Sequence, residues 1–261
     1  MKIEILNKTD SEIKFLVEEI KPSFASALRR IMISEIPTLA IEWVDFRKND
    51  SALSDEVIAN RLGQIPLTFD TKVYNLPKEC RCKGKGCSRC QIKLSLKKKG
   101  PCMVYSSDLK SDAKDVKPVF DKILVVELFE GQELQFEAIA QLGFGKDHVK
   151  WQGAVVGYKN KPLVIIEKDV APNNEFVEHC PAGILKIDGN KLVCTDPLKC
   201  ILCMQCVEIS EEKIKVETEE NSFIFNVETA SGLKPEEIVL TATEILESKL
   251  NEFNKSLKKL K

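Results

Sequence analysis

Cys180 with Pro181 behind it, followed by Cys200, Cys203 and Cys206, commits a stretch of this chain to wrapping four thiolates around an inorganic centre. Two residues between successive cysteines put three sulfurs on one tight loop, and the fourth joins them only if the intervening segment doubles back. Of the ten cysteines, nine fall in two groups, 80 to 102 and 194 to 206, with Cys180 just before the second. Such grouping points to metal chemistry rather than to a disulfide scaffold. Zinc on four cysteines stands as the alternative to an iron–sulfur cluster, but the Cys-Pro pair is a feature of iron–sulfur loops. Cys194 is a spare thiol, buried or disulfide-bonded, with no ligand role assigned.

In a two-cluster bacterial ferredoxin each half reads Cys-x2-Cys-x2-Cys-x3-Cys-Pro, and the last cysteine of one half serves the other half's cluster. In this chain the second half supplies Cys200, Cys203 and Cys206, with Ser210-Glu211 where its Cys-Pro would stand. The first half keeps Cys180-Pro181 and has Val170, Asn173 and Phe176 at its other three positions. One cluster therefore retains four ligands and the other has lost all of them. Between the halves, Ile184, Ile187, a turn at Asp188-Gly189-Asn190, Leu192 and Val193 predict a hairpin, and Lys213-Ile214-Lys215-Val216 a strand. An isolated cluster has no internal neighbour to pass electrons to, so a structural or sensing role is favoured over electron transport. The cluster is expected as [4Fe-4S], with [3Fe-4S] the form left when an exposed corner iron is lost on oxidation.

With 261 residues, 43% hydrophobic and 30% charged, the chain is a globular protein long enough for one large or two to three small domains, each with its own core. Its net charge of −1 provides no global field toward nucleic acid or membrane. No apolar run approaches the ~20 residues of a membrane span, and Met1-Lys2-Ile3-Glu4 does not open a signal peptide, so a cytoplasmic location is expected.

Alternation at Ile3, Ile5, Ile13, Phe15 and Val17 around Asn7-Lys8-Thr9-Asp10 predicts an N-terminal hairpin. Ser23 is read as the cap of a helix whose Phe24, Ala27, Leu28, Ile31 and Met32 share one face, ending before Pro37, with a strand over 39–44. A short helix is predicted from Ser54 to about Gly63. Strands over 123–128 and 134–139 flank Gly131 and predict a second hairpin. From Lys234-Pro235 a long helix carries Val239, Ala242, Leu246, Leu250, Phe253, Leu257 and Leu260 on one stripe and ends in Lys255, Lys258, Lys259 and Lys261. Pattern alone favours covering that stripe with the chain's own N-terminal elements, with another protein as the alternative.

Three segments carry a resemblance: Ser23 through Ala40 (SFASALRRIMISEIPTLA), Ala59 through Leu67 (ANRLGQIPL), and Gln141 through Trp151 (QLGFGKDHVKW). In this order they resemble the alpha-like subunits of multisubunit RNA polymerases, the family that joins the archaeal alpha-like chains to bacterial alpha and to the third-largest chain of eukaryotic polymerase II. The resemblance implies an α+β chain in which a dimerisation domain, 1–46 with 222–261, is interrupted by a mostly β insert domain, 47–168, and a ferredoxin-like iron–sulfur domain, 169–221. It implies a component of DNA-directed RNA polymerase, a nucleotidyltransferase complex active in transcription, that itself has no catalytic residues. The implied partners are the small alpha-like subunit L, subunits N and P, and the large catalytic subunits, with DNA reached only through the complex and no membrane. Phe24, Leu28, Ile31, Met32, Leu246, Leu250, Phe253 and Leu257 are then expected across or beneath the interface with L. Arg29 and Arg30 are read either as reaching a large subunit or as solvated.

Cys80, Cys82, Cys87 and Cys90 resemble the zinc loop of the eukaryotic counterpart, with Gly84 and Gly86 letting a short knuckle turn. Two disulfides drawing in Cys102 are the alternative. Nine basic residues against one acidic from Lys78 to Lys99 give a local excess of +8, read as a solvated loop because aromatics for base stacking are missing. No Asp-rich loop suited to hold magnesium for nucleotidyl transfer occurs. His148 is expected to be hydrogen-bonded and structural, and His179 either to tune the cluster or to face solvent. A ferredoxin-like electron carrier or redox enzyme subunit is the rival function, and a redox-sensitive regulator of polymerase assembly a third.

Overall fold

The computed structural model describes residues 1–167 and 170–259. Lys168 and Asp169, where the sequence divides insert from iron–sulfur domain, and Leu260 and Lys261, the end of the last helix's pattern, lie outside the described residues. In chain order the strands are β1 (Lys2–Lys8), β2 (Glu12–Glu18), β3 (Pro37–Asn49), β4 (Ile92–Lys99), β5 (Cys102–Tyr105), β6 (Lys110–Ser111), β7 (Leu124–Leu128), β8 (Glu133–Phe144), β9 (Ala154–Ile166), β10 (Leu185–Asp188), β11 (Lys191–Cys194) and β12 (Ile214–Thr229). The helices are α1 (Pro22–Ser34), α2 (Asp55–Gly63), α3 (Asn174–Glu178), α4 (Gln205–Ile209) and α5 (Pro235–Lys258). No described helix is long and apolar enough to cross a membrane.

The chain divides into two compact units. The first takes Met1–Lys8, Lys14–Ser26 and Gly157–Asn226. Its sheet has the order β1-β2-β12-β9, so the N-terminal hairpin lies against a strand from the far end of the chain. Phe15 stacks on Phe225 with ring centroids 5.2 Å apart, and Tyr158 packs against Phe223 and Phe225. Beyond this sheet β10 and β11 pair antiparallel from Leu185↔Cys194 to Asp188↔Lys191, closing on a turn in which Gly189 takes a left-handed conformation (φ 60°). Val170, Ile184, Leu185, Leu192, Cys200 and Ile214 form a separate buried core there.

The second unit takes Thr9–Ile13, Ala27–Val156 and Val227–Lys261. Its main sheet has the order β3-β8-β4-β6, with a two-stranded ribbon of β5 and β7. Alternating residues of these strands, among them Leu39, Ile41, Leu94, Leu96, Phe136 and Ala138, bury one face together with Ile58 and Leu62 of α2. The hairpin predicted for β7 and β8 does not form. The chain does reverse at Gly131 (φ 78°), but both edges of β8 are taken, by β3 from Pro37↔Phe144 and by β4 from Ile92↔Ala140, leaving β7 to pair with β5. Alternation marks a strand's buried face and leaves its partner open.

α1 opens at Pro22 and takes Lys21 carbonyl bonds at its start, so Ser23 sits in the first turn and is not the cap. α5 has the expected opening: Pro235 is in its first turn, and the Lys234 N–H donates to the Glu237 carboxylate at 3.0 Å. The segments behind the resemblance are largely structural. Trp151 donates its indole N–H to Gln141 O at 3.0 Å, and a side chain at Gly143 would collide with its ring. Arg61 reaches Val125 O at 2.7 Å, and Ile65 and Leu67 are buried. His148 accepts from the Lys150 N–H at 3.1 Å, a structural role.

Candidate metal centres

Cys80, Cys82, Cys87 and Cys90 converge in the second unit, with their sulfurs all within 4.8 Å of one another. Cys80 Sγ lies 3.5 Å from Cys87 Sγ, Cys82 Sγ 3.4 Å from Cys90 Sγ, and Cys87 Sγ 3.7 Å from Cys90 Sγ. Zinc bound to sulfur at ~2.3 Å in a tetrahedron places its ligands ~3.8 Å apart, whereas a disulfide closes to ~2.05 Å. The spacing fits the first, and every cysteine of the chain is a free thiol. Two turns build the quartet: Lys83 N donates to Cys80 O at 2.8 Å, and Cys90 N to Cys87 O at 2.9 Å. Gly84 and Gly86 have φ of 79° and 89°, and a side chain at Gly86 would meet Gln91. The hydrogen bond with Cys90 is foremost in holding the Cys82 thiol down to about 6, while burial pushes Cys90 up to about 12. Metal binding needs the thiolates, and of these two sulfurs Cys82 is the one held toward that form. Cys102 stands apart on β5, its thiol directed at Lys99 O.

Cys180, Cys200, Cys203 and Cys206 come together in the first unit in a different way. They line one small cavity, with Val164, Ile184, Leu185 and Val216 among its walls. Cys200 is buried, Cys180 and Cys206 half-buried and Cys203 exposed. Among the described residues the Cys80 quartet is the group compact enough for one metal ion. The second quartet lines a cavity and is not drawn into so compact a group. Burial raises the Cys206 thiol, reinforced by the neighbouring sulfurs of Cys200, Cys180 and Cys203.

The loop carrying three of these cysteines is strained. Leu202 and Met204 both have left-handed backbone, at φ 60° and 63°, a conformation that costs a non-glycine residue about 1–3 kcal/mol. Left-handed residues interspersed in a turn gather successive N–H groups into a concavity for anionic sulfur. The four positions at which the ferredoxin pattern would have a second set of cysteines have structural contacts here. Val170 is buried and Phe176 packs on the same core; the Asn173 side chain caps α3 through Glu175 N at 3.0 Å; Ser210 accepts from Ile214 N at 2.9 Å. Cys194 packs on this core, its thiol raised by burial. His179 is exposed, with Nδ1 2.9 Å from Glu175 O.

Lys159, on β9, carried no signal in the sequence. Its ammonium donates to Leu198 O at 2.9 Å and to Cys200 O, and burial followed by the nearness of Lys14 pulls its pKa below the ordinary lysine value. Bonds to distant main-chain carbonyls leave no local pattern to read.

The expected interface residues separate into two sets. Leu28, Ile31 and Met32 are buried within this chain and Phe24 is half-buried. On α5, Ile238 and Ala242 are buried and Leu246 half-buried, but Leu250, Phe253 and Leu257 are exposed at 56%, 62% and 46%. A helix of 24 residues runs about 36 Å, and the chain covers its beginning only. Covering the whole stripe internally, which pattern alone favoured, therefore fails for its last turns. Lys249 pairs with Glu35, and Arg29 donates to Val156 O at 2.8 Å, while Arg30 is exposed.

Residues 44–156, the mostly β region, match the family described as RNA polymerase Rpb3/RpoA insert domain. The chain is 43% identical over 259 residues to DNA-directed RNA polymerase subunit Rpo3 of Methanosphaera stadtmanae, across 95% of this chain and 96% of that one. It is 39% identical to the subunits of the same name from Archaeoglobus fulgidus, over 99% of this chain and 98% of the relative, and from Pyrococcus furiosus, over 100% and 98%.

Proposed function

Since this chain belongs to the Rpo3 family of DNA-directed RNA polymerase subunits, and is a component of that polymerase, we propose that within it the chain is a non-catalytic assembly subunit. One observation carries the reading: the uncovered stripe of Leu250, Phe253 and Leu257, which water does not favour and a helical partner would cover. The partner is the small alpha-like subunit L, and the pair forms the platform on which the large catalytic subunits and the small subunits N and P assemble, in the cytoplasm. DNA is reached only through the complex. In this scheme 1–46 with 222–261 form the dimerisation domain, 47–168 the insert and 169–221 a ferredoxin-like domain.

Cys180, Cys200, Cys203 and Cys206 hold one iron–sulfur cluster, a reading supported by their shared cavity and the strained loop over it. Cys180 and the 200–206 loop would be joined through such a cluster, which would supply one-electron chemistry when bound. The chain's own residues do the rest: Leu185, Val164 and Val216 wall it from water, and α3, the β10–β11 hairpin and α4 fix the thiolates. Its role is to stabilise this domain. Cys80, Cys82, Cys87 and Cys90 hold zinc, supported by sulfur spacings of 3.4–3.7 Å.

Co-expression with L, N and P under anaerobic conditions, followed by size separation and iron and zinc analysis, tests the proposal. A stoichiometric complex carrying both metals is expected. A chain that remains monomeric in the presence of its partners would overturn the assembly reading, and iron absent from anaerobic preparations the cluster reading.

A further inference from the structure

We propose that Lys159 is a positioning residue for the cluster site, tying down the Cys200 loop and setting one positive charge beside the thiolates so as to raise the cluster's reduction potential. The inference rests on the iron–sulfur reading of the Cys180 quartet.

The geometry is specific. The Lys159 ammonium reaches from β9 to two main-chain oxygens, Leu198 O at 2.9 Å and Cys200 O, the second belonging to a ligand itself. These two acceptors bracket the end of the short 3-10 turn Pro197–Lys199 that delivers Cys200 into the cavity. No carboxylate forms an ion pair with Lys159 among the described residues; Asp196 attracts it from a distance, and Lys14 repels it. Two residues along the same strand, Lys161 shows the contrast, pairing with Glu18 at 2.8 Å and Glu219 at 3.1 Å. A half-buried lysine without a close carboxylate lacks its usual compensation. Thiolates around an anionic centre would supply it, Cys200 being the nearest, its main-chain oxygen already bonded to the ammonium.

The consequence follows from Coulomb's law. One-electron reduction makes the centre more negative, and a cation held nearby stabilises the reduced form more than the oxidised one. Net charge and hydrogen bonding near the sulfurs are among the factors that set such potentials.

The test is a dithionite titration with mediators, followed by electron paramagnetic resonance, on the full chain in complex with its partner. Lys159→Met removes charge and donors, Lys159→Gln removes the charge and keeps a donor, and Lys159→Arg keeps the charge. Lys161→Met, whose charge is already compensated, is the control. Midpoint potentials shifted to more negative values in Lys159→Met and Lys159→Gln, with Lys159→Arg and Lys161→Met close to wild type, are expected. Lys159→Gln with full iron content and an unshifted potential would refute the proposal while leaving the cluster reading intact. Wild type without iron would refute the cluster reading first and this one with it. Should Lys159→Met lose iron altogether, the comparison passes to the other two substitutions: faster removal of iron by a chelator from Lys159→Gln than from Lys159→Arg supports the cation, and equal rates overturn it.

Discussion

Truncating Phe253 or Leu250 to alanine distinguishes a helix made for a partner from one merely left over. Fully burying a Phe or Leu side chain contributes about 1.5–3 kcal/mol. Phe253 is still 62% exposed and Leu250 56%, so covering the remainder is worth about 1–2 kcal/mol each. With each 1.4 kcal/mol a factor of ten, Phe253→Ala or Leu250→Ala weakens pairing with the small alpha-like subunit by about 5- to 30-fold, and the double variant by about 30-fold to several hundred-fold. The isolated chain loses little packing, and its stability stays within about 0.5 kcal/mol of wild type. Leu28→Ala serves as the contrast. At 3% exposed it destabilises the isolated chain by about 2–5 kcal/mol. Titration calorimetry of the two subunits, with urea unfolding of the chain alone, measures both quantities. Unchanged affinity in the double variant, or a loss of stability in the isolated chain equal to the loss of affinity, refutes the reasoning.

Cys206→Ser removes a half-buried ligand and is expected to abolish stoichiometric iron, read by metal analysis and the visible absorption of the cluster, while zinc content is unchanged. Cys90→Ser reverses the pattern, and chelation of zinc from wild type lowers the melting temperature measured by calorimetry. Tyr74 donates to Asp115 at 2.9 and 3.0 Å, and burial first, then Asp115, raises its pKa to about 12 from 10.0. The folded state therefore holds a proton that the unfolded state releases, so this contribution is complete below pH 10 and lost as pH rises through about 12. Wild type is expected to exceed Tyr74→Phe by about 1.5–3 kcal/mol in urea unfolding at pH 8, with the gap closing toward pH 12; a gap constant over that range would contradict it.

Local pattern carried much of this fold and stopped where contacts become non-local. The alternation of Ile13, Phe15 and Val17, the three-four spacing of Leu28, Ile31 and Met32, and the Lys234-Pro235 opening of α5 are properties of short windows, and each produced the element expected. The same rules misassigned the partner of β7, because the edges of β8 were claimed by β3 and β4, strands distant in sequence. They placed Ser23 at a cap that Pro22 had already moved upstream. Of the two cysteine quartets read from spacing, Cys80, Cys82, Cys87 and Cys90 lie within 4.8 Å of one another and Cys180, Cys200, Cys203 and Cys206 line one cavity. Lys159 was invisible because its partners are main-chain oxygens about forty residues away, which sequence does not distinguish from any others.

The sheet order β1-β2-β12-β9 has a consequence for synthesis. The strand that flanks β2 on its inner side begins at Ile214, so a ribosome adding about 5–20 residues per second releases it roughly 10–40 s after β2. In that interval the unpaired edge of β2 is open to strands of other nascent chains. The strands of the main sheet in the second unit, β3, β4, β6 and β8, are all made before β12 and can assemble meanwhile. The newborn hairpin is therefore a part of this protein that chaperones have reason to shield.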